Sequence, residues 1–103
     1  MNSVYTFFLA GRYYHQGPTV VDGTLLQLER DPNNIHDSNA IRVTLLGQPD
    51  QQIGFVPRRI AMVLAPYIDS GLYTADMVVA RRRPNCDDIR IAFFLQHLPV
   101  AHA

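Results

Sequence analysis

Apolar residues recur at every second position through most of this chain and at helical spacing only once, so it has to fold largely as strands. The cleanest case is Ala40 to Leu46, where Ile41, Val43 and Leu45 share one face and Arg42 and Thr44 the other. Gly47, Pro49 and Asp50 follow as turn formers and Gln52 to Val56 returns as a short strand, which predicts a hairpin. Further strands are expected at Tyr5 to Ala10, Thr24 to Glu29, Ala75 to Ala80 and Ile89 to Leu95. In the last of these, Ile89, Ile91, Phe93 and Leu95 share a face, while Arg81 to Asp88 reads as a polar connecting loop. The single helical stretch carries Ile60, Val63, Leu64, Tyr67 and Ile68 on one face, with Pro57 near its first turn and Gly71 beyond its end. Pro66 lies inside it and predicts a kink or a break into two short pieces. Many short strands around one or two short helices indicate a mainly β fold, a small OB-like or SH3-like β-barrel.

At 103 residues the chain suits a single domain, 1–103, with one core, and at 48% apolar residues it folds rather than staying disordered. A lone cysteine, Cys86, cannot form an internal disulfide, and no stretch approaches the ~18 apolar residues of a membrane span. No charged and apolar leader opens the sequence, so a cytoplasmic or DNA-associated domain with no membrane partner is expected. Formal charge is zero, which argues against coating duplex DNA through many phosphate contacts. Every base is nevertheless an arginine: Arg12, Arg30, Arg42, Arg58, Arg59, Arg81, Arg82, Arg83 and Arg90. That choice suits bidentate phosphate contacts, and it equally fits a compositional bias of the genome.

Residues Arg30 to Ile41, R-D-P-N-N-I-H-D-S-N-A-I, place the carboxylate of Asp37 in a loop otherwise made of turn formers. Such a loop displays polar groups, and Asp37 has two readings: an Asx-type cap on the turn, or an acceptor for a donor on a ligand.

Five blocks in register resemble a HIRAN domain: G-R-Y-Y at Gly11 to Tyr14, L-x-L-x-R-D-P-N-N at Leu26 to Asn34, D-S-N-A-I at Asp37 to Ile41, I-G-F-V-P-R at Ile53 to Arg58, and A-x-x-L-A-P-x-x-D-x-G at Ala61 to Gly71. From Tyr73 onward the sequence adds only two plausible strands. The resemblance implies a modified OB-like barrel that binds single-stranded DNA and recognises its 3′-hydroxyl end, in DNA repair or replication-fork processing. In fork-remodelling ATPases such a domain guides a helicase motor to a strand end. This sequence has no Walker-type Gly-rich loop, so a stand-alone binding module is expected rather than an enzyme, with a helicase or repair enzyme acting in trans and with no cofactor or metal.

The resemblance implies a site made of Arg12, Tyr13, Tyr14, Asn34, His36, Asp37, Phe55 and Arg58. In it Tyr13 stacks on a base while Tyr14 covers or packs into the barrel, since strand side chains alternate; Arg12 and Arg58 meet phosphates. Asn34, His36 and Asp37 close over the terminal nucleotide, where a 3′-hydroxyl supplies the donor that a carboxylate next to nucleic acid requires. Family members often carry Pro and Tyr where this chain has Ile35 and His36; an imidazole stacks with less area than a phenol and titrates near neutrality, which weakens binding or alters ligand choice. Phe55 flanks the pocket or joins the core, and Asn39 reads as structural. Without a ligand, Arg58 is a solvated charge at a helix start, where the dipole disfavours a cation.

The remaining polar residues carry less. Arg81, Arg82 and Arg83 form an electrostatic footprint or a solvated run, Cys86, Asp87 and Asp88 lack the spaced partners of a metal site, and His15, His97 and His102 fit no ligand pattern. An alternative from another class is a protein-interaction barrel that takes a peptide or partner subunit in the same groove. A nuclease would need more carboxylates beside Asp37.

Overall fold

Period-two segments become strands along almost their whole predicted lengths. The computed structural model describes residues 4–11, 19–82 and 89–98. Its elements run β1 (Tyr5–Phe8), β2 (Leu25–Arg30), β3 (Ile41–Leu45), β4 (Gln48–Phe55), α1 (Arg58–Asp69), β5 (Tyr73–Arg82) and β6 (Ile89–His97). The strands form one antiparallel sheet in the order β1-β6-β5-β2-β3-β4. Its two outer strands are brought together by a bridge from Ala10, just beyond β1, to Phe55 at the end of β4, with N–H···O distances of 2.9 and 2.7 Å. A sheet whose edges meet is a barrel, as the strand pattern predicts.

Closure depends on Gly54. A Cβ there would lie 2.6 Å from the Ala10 carbonyl oxygen and 2.7 Å from Leu9 Cγ, so any larger residue would push the two edges apart. Inside the barrel Ile41, Val43, Ile53, Ile89 and Ile91 are fully buried, each contributing about 1.5–3 kcal/mol of transfer free energy.

Four expectations are corrected. The hairpin turn is Leu46–Gly47, not the stretch to Asp50; Gly47 takes φ 76°, and Pro49 and Asp50 belong to β4. Pro49 is tolerated because β4 is an outer strand and the register jumps from Leu45↔Gln48 to Thr44↔Gln52, leaving Pro49 in a bulge. Thr44, assigned by alternation to the outer face, is fully buried; the β4 register shifts on both sides of it, and its Oγ1 lies 3.5 Å from the Gln27 carbonyl. Pro66 does not break the helix: α1 is continuous, and Pro66 sits on its exposed face one turn from the end, where water can reach the carbonyl it leaves unpaired. Finally, β5 runs on as far as Arg82, the second residue of the expected Arg81 to Asp88 loop, across a bulge between Val79 and Arg81 that keeps the ladder with β6; the rest of that loop lies outside the described residues.

The buried face of α1 is also rotated from the predicted one. Ala61, Leu64 and Ala65 face the core, with Ile60 and Ile68 half-buried beside them, whereas Val63 and Tyr67 are exposed. Small alanines let the helix lie close on the barrel, which outweighs the larger area offered by Val63 and Tyr67.

Candidate functional site

Between β2 and β3 the chain runs from Asp31 to Ala40 without regular structure, yet its backbone is held almost residue by residue. Asn34 Oδ1 accepts from the N–H groups of His36 (2.9 Å) and Asp37 (3.1 Å), and its Nδ2 donates to Asp31 Oδ2 at 3.1 Å. Asp37 Oδ1 accepts from the Asn39 N–H at 2.9 Å, and the Asp37 carbonyl accepts from the Ala40 N–H at 3.0 Å. These are two successive Asx-type turns, the arrangement in which short polar side chains replace a ladder. The cap reading of Asp37 is therefore realised, and the Asn39 backbone is the group it caps.

Arg30 ties this loop to the rest of the fold. Its guanidinium donates to the carbonyls of Ala40 (2.7 Å) and Ser38 (3.0 Å) and, in a fork, to both carboxylate oxygens of Asp69 at the end of α1 (2.8 and 3.0 Å). The hydrogen bond that it donates to Asp69 is the main cause that holds the guanidinium above its ordinary value, against the opposing effect of burial. The same bond holds the Asp69 carboxyl below its ordinary value. Neither residue was assigned a role from sequence, although both stand in the quoted blocks, Arg30 before D-P-N-N and Asp69 before Gly71.

On the far side of the loop, Arg58 opens α1. Its Nη2 donates to the His36 carbonyl at 2.9 Å, and its Nε lies 3.7 Å from Asp37 Oδ2. The Arg58 side chain is 77% exposed and that of Asp37 20%, so the cation reaches into solvent over a carboxylate recessed beneath it. Among the described residues no side chain caps α1, and no acidic residue occupies its first turn. Positive potential at that helix end is thus not offset by a first-turn carboxylate.

Together these elements wall a cavity of about 290 Å³ lined by Asn34, His36, Asp37, Phe55 and Arg58, with Ala10, Gly11, Ala40 and Val56 completing it. Five of the eight candidate residues are brought to one place from one loop, a strand and a helix. Phe55 lies at the barrel seam, half-buried, and lines the pocket rather than filling the core. Arg12, Tyr13 and Tyr14 lie outside the described residues; they follow directly on Gly11, which lines the cavity. Among the described residues no three His, Cys, Asp or Glu side chains cluster as a metal site would require, and no helix is long and apolar enough to cross a membrane.

Known proteins share both the pattern and the fold. The crystal structure of the HIRAN domain of human HLTF superposes with a TM-score of 0.79 at 27% identity, covering 89% of this chain and 74% of that one. The NMR structure of the HLTF HIRAN domain in its DNA-bound conformation gives 0.68 at 24% identity, covering 89% and 73%, and at that identity shows the fold alone. A putative SWI/SNF-related matrix-associated actin-dependent regulator of chromatin subfamily A member 3-like 1 from Arabidopsis thaliana is 36% identical over 83 residues, 81% of this chain. A Fanconi-associated nuclease 1 homolog from Oryza sativa subsp. japonica is 39% identical over 62 residues, 59% of this chain. The chain spans only 9% and 6% of those two relatives' lengths. With the HIRAN domain family matching residues 2–97, the chain belongs to that family.

Proposed function

We propose that this chain is a single-stranded DNA-binding module that seats the 3′-hydroxyl end of a strand in the cavity between the Asp31–Ala40 loop and α1. The observation that carries the reading is the pairing of a recessed carboxylate with an exposed guanidinium in one pocket, Asp37 Oδ2 3.7 Å from Arg58 Nε. A strand terminus presents that complement: a hydroxyl that donates to the carboxylate, with a phosphate one sugar away for the guanidinium and the open end of α1. His36 and Phe55 supply flat surfaces beside them for a base. Asp37 uses Oδ1 to cap the loop, which leaves Oδ2 for the ligand. Turn cap and ligand acceptor are then one side chain with two oxygens in different roles.

The HIRAN domain of HLTF, 27% identical to this chain, adopts a DNA-bound conformation, which supports nucleic acid as the ligand, and the longer relatives, a nuclease homolog and a chromatin regulator, support a setting in DNA repair or fork processing. In this reading the chain binds the strand end, and a helicase or repair enzyme acting on the same DNA carries out the chemistry.

The test is competition among 3′-hydroxyl, 3′-phosphate and 3′-blocked ends of one oligonucleotide, with a circular single strand as the endless control. A hydroxyl end should win over all three. A 3′-phosphate would set a second negative group against Asp37. Equal binding by all four would reduce Asp37 to its turn-capping role and remove end recognition.

A further inference from the structure

Strand β1 is paired on one side only. The Leu9 N–H donates to the Ile89 carbonyl at 2.9 Å, whereas Ala10 exchanges its hydrogen bonds with Phe55 on the opposite side. Backbone groups alternate sides along an antiparallel strand, so Tyr5 and Phe7 turn theirs toward β6, and Thr6 and Phe8 turn theirs outward, as Ala10 does. β4 meets that outer edge only at Ala10. The N–H and C=O groups of Thr6 and Phe8 therefore have no backbone partner among the described residues.

Beside this edge lies a second cavity, of about 460 Å³, between β1 and α1. Tyr5, Thr6, Val63 and Tyr67 form its walls, and Phe93 and Leu95 of β6 its floor. Tyr5, Val63 and Tyr67 are 52%, 62% and 47% exposed, and the last two are the helix residues that helical spacing assigns to the core. Arg59 stands at its rim, exposed, and forms no ion pair among the described residues. An open edge, an apolar groove and an unneutralised cation thus adjoin one another on a face that the DNA pocket does not use.

We propose that the outer edge of β1 and this groove form a second docking site, which takes an extended segment of a partner protein with apolar residues at alternate positions and a carboxylate for Arg59. The segment adds to β1 as a further strand, hydrogen-bonding to Thr6 and Phe8, and its inward side chains fill the groove. Charge decides among occupants. A second copy pairing edge to edge would bring across only Val4 to Phe8, which carry no carboxylate for Arg59. A nucleic acid strand would find aromatic rings but a single cation, Arg59, too little charge to hold a phosphate backbone. Relatives that hold this domain within much longer polypeptides supply a setting in which such segments adjoin it.

The test is fluorescence anisotropy of the whole chain with a labelled, end-capped peptide of alternating valine and threonine that carries one central glutamate. Two further probes carry N-methyl groups on the odd or on the even backbone amides, since only one set can face β1. The parent should bind, one methylated probe should bind like it, and the other should lose affinity about tenfold or more. Thr6→Pro removes only an outward N–H, so it should abolish peptide binding while 3′-ended oligonucleotide binding persists. Arg59→Glu should weaken the glutamate probe and favour its lysine counterpart. A parent probe that fails to bind, equal binding by both methylated probes, or wild-type peptide affinity in a folded Thr6→Pro chain would each overturn the proposal. Concentration-dependent dimers in sedimentation that are lost in Thr6→Pro would overturn the choice of partner.

Discussion

Arg30 and Arg58 flank the same loop, one from β2 and one from α1, and both donate to its backbone, yet they stand at opposite ends of what an arginine can do. Arg30 is 15% exposed and spends its guanidinium on two carbonyls and a forked carboxylate. Arg58 is 77% exposed, makes one hydrogen bond to the His36 carbonyl, and lies 3.7 Å from Asp37 without a direct bond to it. The difference teaches that a fixed loop and a receptive loop are made by the same residue type, sorted by how many of its donors the fold consumes. One arginine sets the shape of the loop, and the other keeps donors free for the ligand that the proposed function assigns to it.

The largest effect should come from breaking that division on the structural side. Arg30→Ala leaves the Ala40 and Ser38 carbonyls and the Asp69 carboxylate without their donor, so it should cost about 3 kcal/mol of stability and loosen the pocket. Arg58→Ala should change stability by no more than about 0.5 kcal/mol, because its ion pair is exposed and screened. It should instead weaken oligonucleotide binding and lower the slope of log affinity against log salt by about one. Paired thermal melts and salt titrations separate the two. Similar melting losses for both variants would erase the distinction between the arginines.

A finer cut passes through Asp37, whose two oxygens are divided between the same two purposes. Asp37→Asn keeps a carbonyl oxygen to accept from the Asn39 N–H, so stability should stay within about 0.5 kcal/mol of wild type while discrimination against a 3′-phosphate falls. Asp37→Ala should lose about 1 kcal/mol of stability with the cap, as cap removals do. It should also lose about 1.5–3 kcal/mol of affinity for a hydroxyl end, the size of a hydrogen bond to a charged group. If Asp37→Asn discriminated hydroxyl from phosphate as well as wild type does, the charge on Oδ2 would have no part in recognition.

The sequence made the strands visible because burial on one face enforces a period of two, and Ile41, Val43, Ile89 and Ile91 keep it without fault. Thr44 is buried as well, beside a bulge in the pairing of β3 with β4 that the alternation of residues does not reveal. Barrel closure was likewise hidden: Gly54 looks like any strand glycine until Ala10, 44 positions earlier, lies against it. The helix face was misjudged because alanines count little in an apolar pattern, although Ala61 and Ala65 are the residues that let α1 approach. Site residues on the Asp31–Ala40 loop could be named through the family blocks, since their chemistry is local and their spacing fixed. Arg30 was passed over for a physical reason, since its partner Asp69 is 39 residues away and a paired arginine reads in sequence like a free one.

The smallest effect is the acid sensitivity of the Arg30 clamp. The hydrogen bond from Arg30 holds the Asp69 carboxyl below its ordinary value of 3.8. A carboxyl whose folded-state pKa is depressed stabilises the fold at pH values above its unfolded pKa, and that contribution is lost as pH falls through the folded value. Arg30 stays charged across this range, so Asp69 alone titrates within the pair. Asp69→Asn should therefore melt slightly below wild type at neutral pH, and the gap should close as the pH drops from about 4 toward 2. The gap stays small because Asp69 is half exposed and water screens the pair, and the other carboxylates, present in both proteins, cancel in the difference. Thermal melts of the two proteins at steps between pH 7 and pH 2 read it directly. A gap that persisted to the lowest pH would mean that the forked contact holds the loop by its geometry alone, with a protonated Asp69 serving Arg30 as well as the carboxylate does.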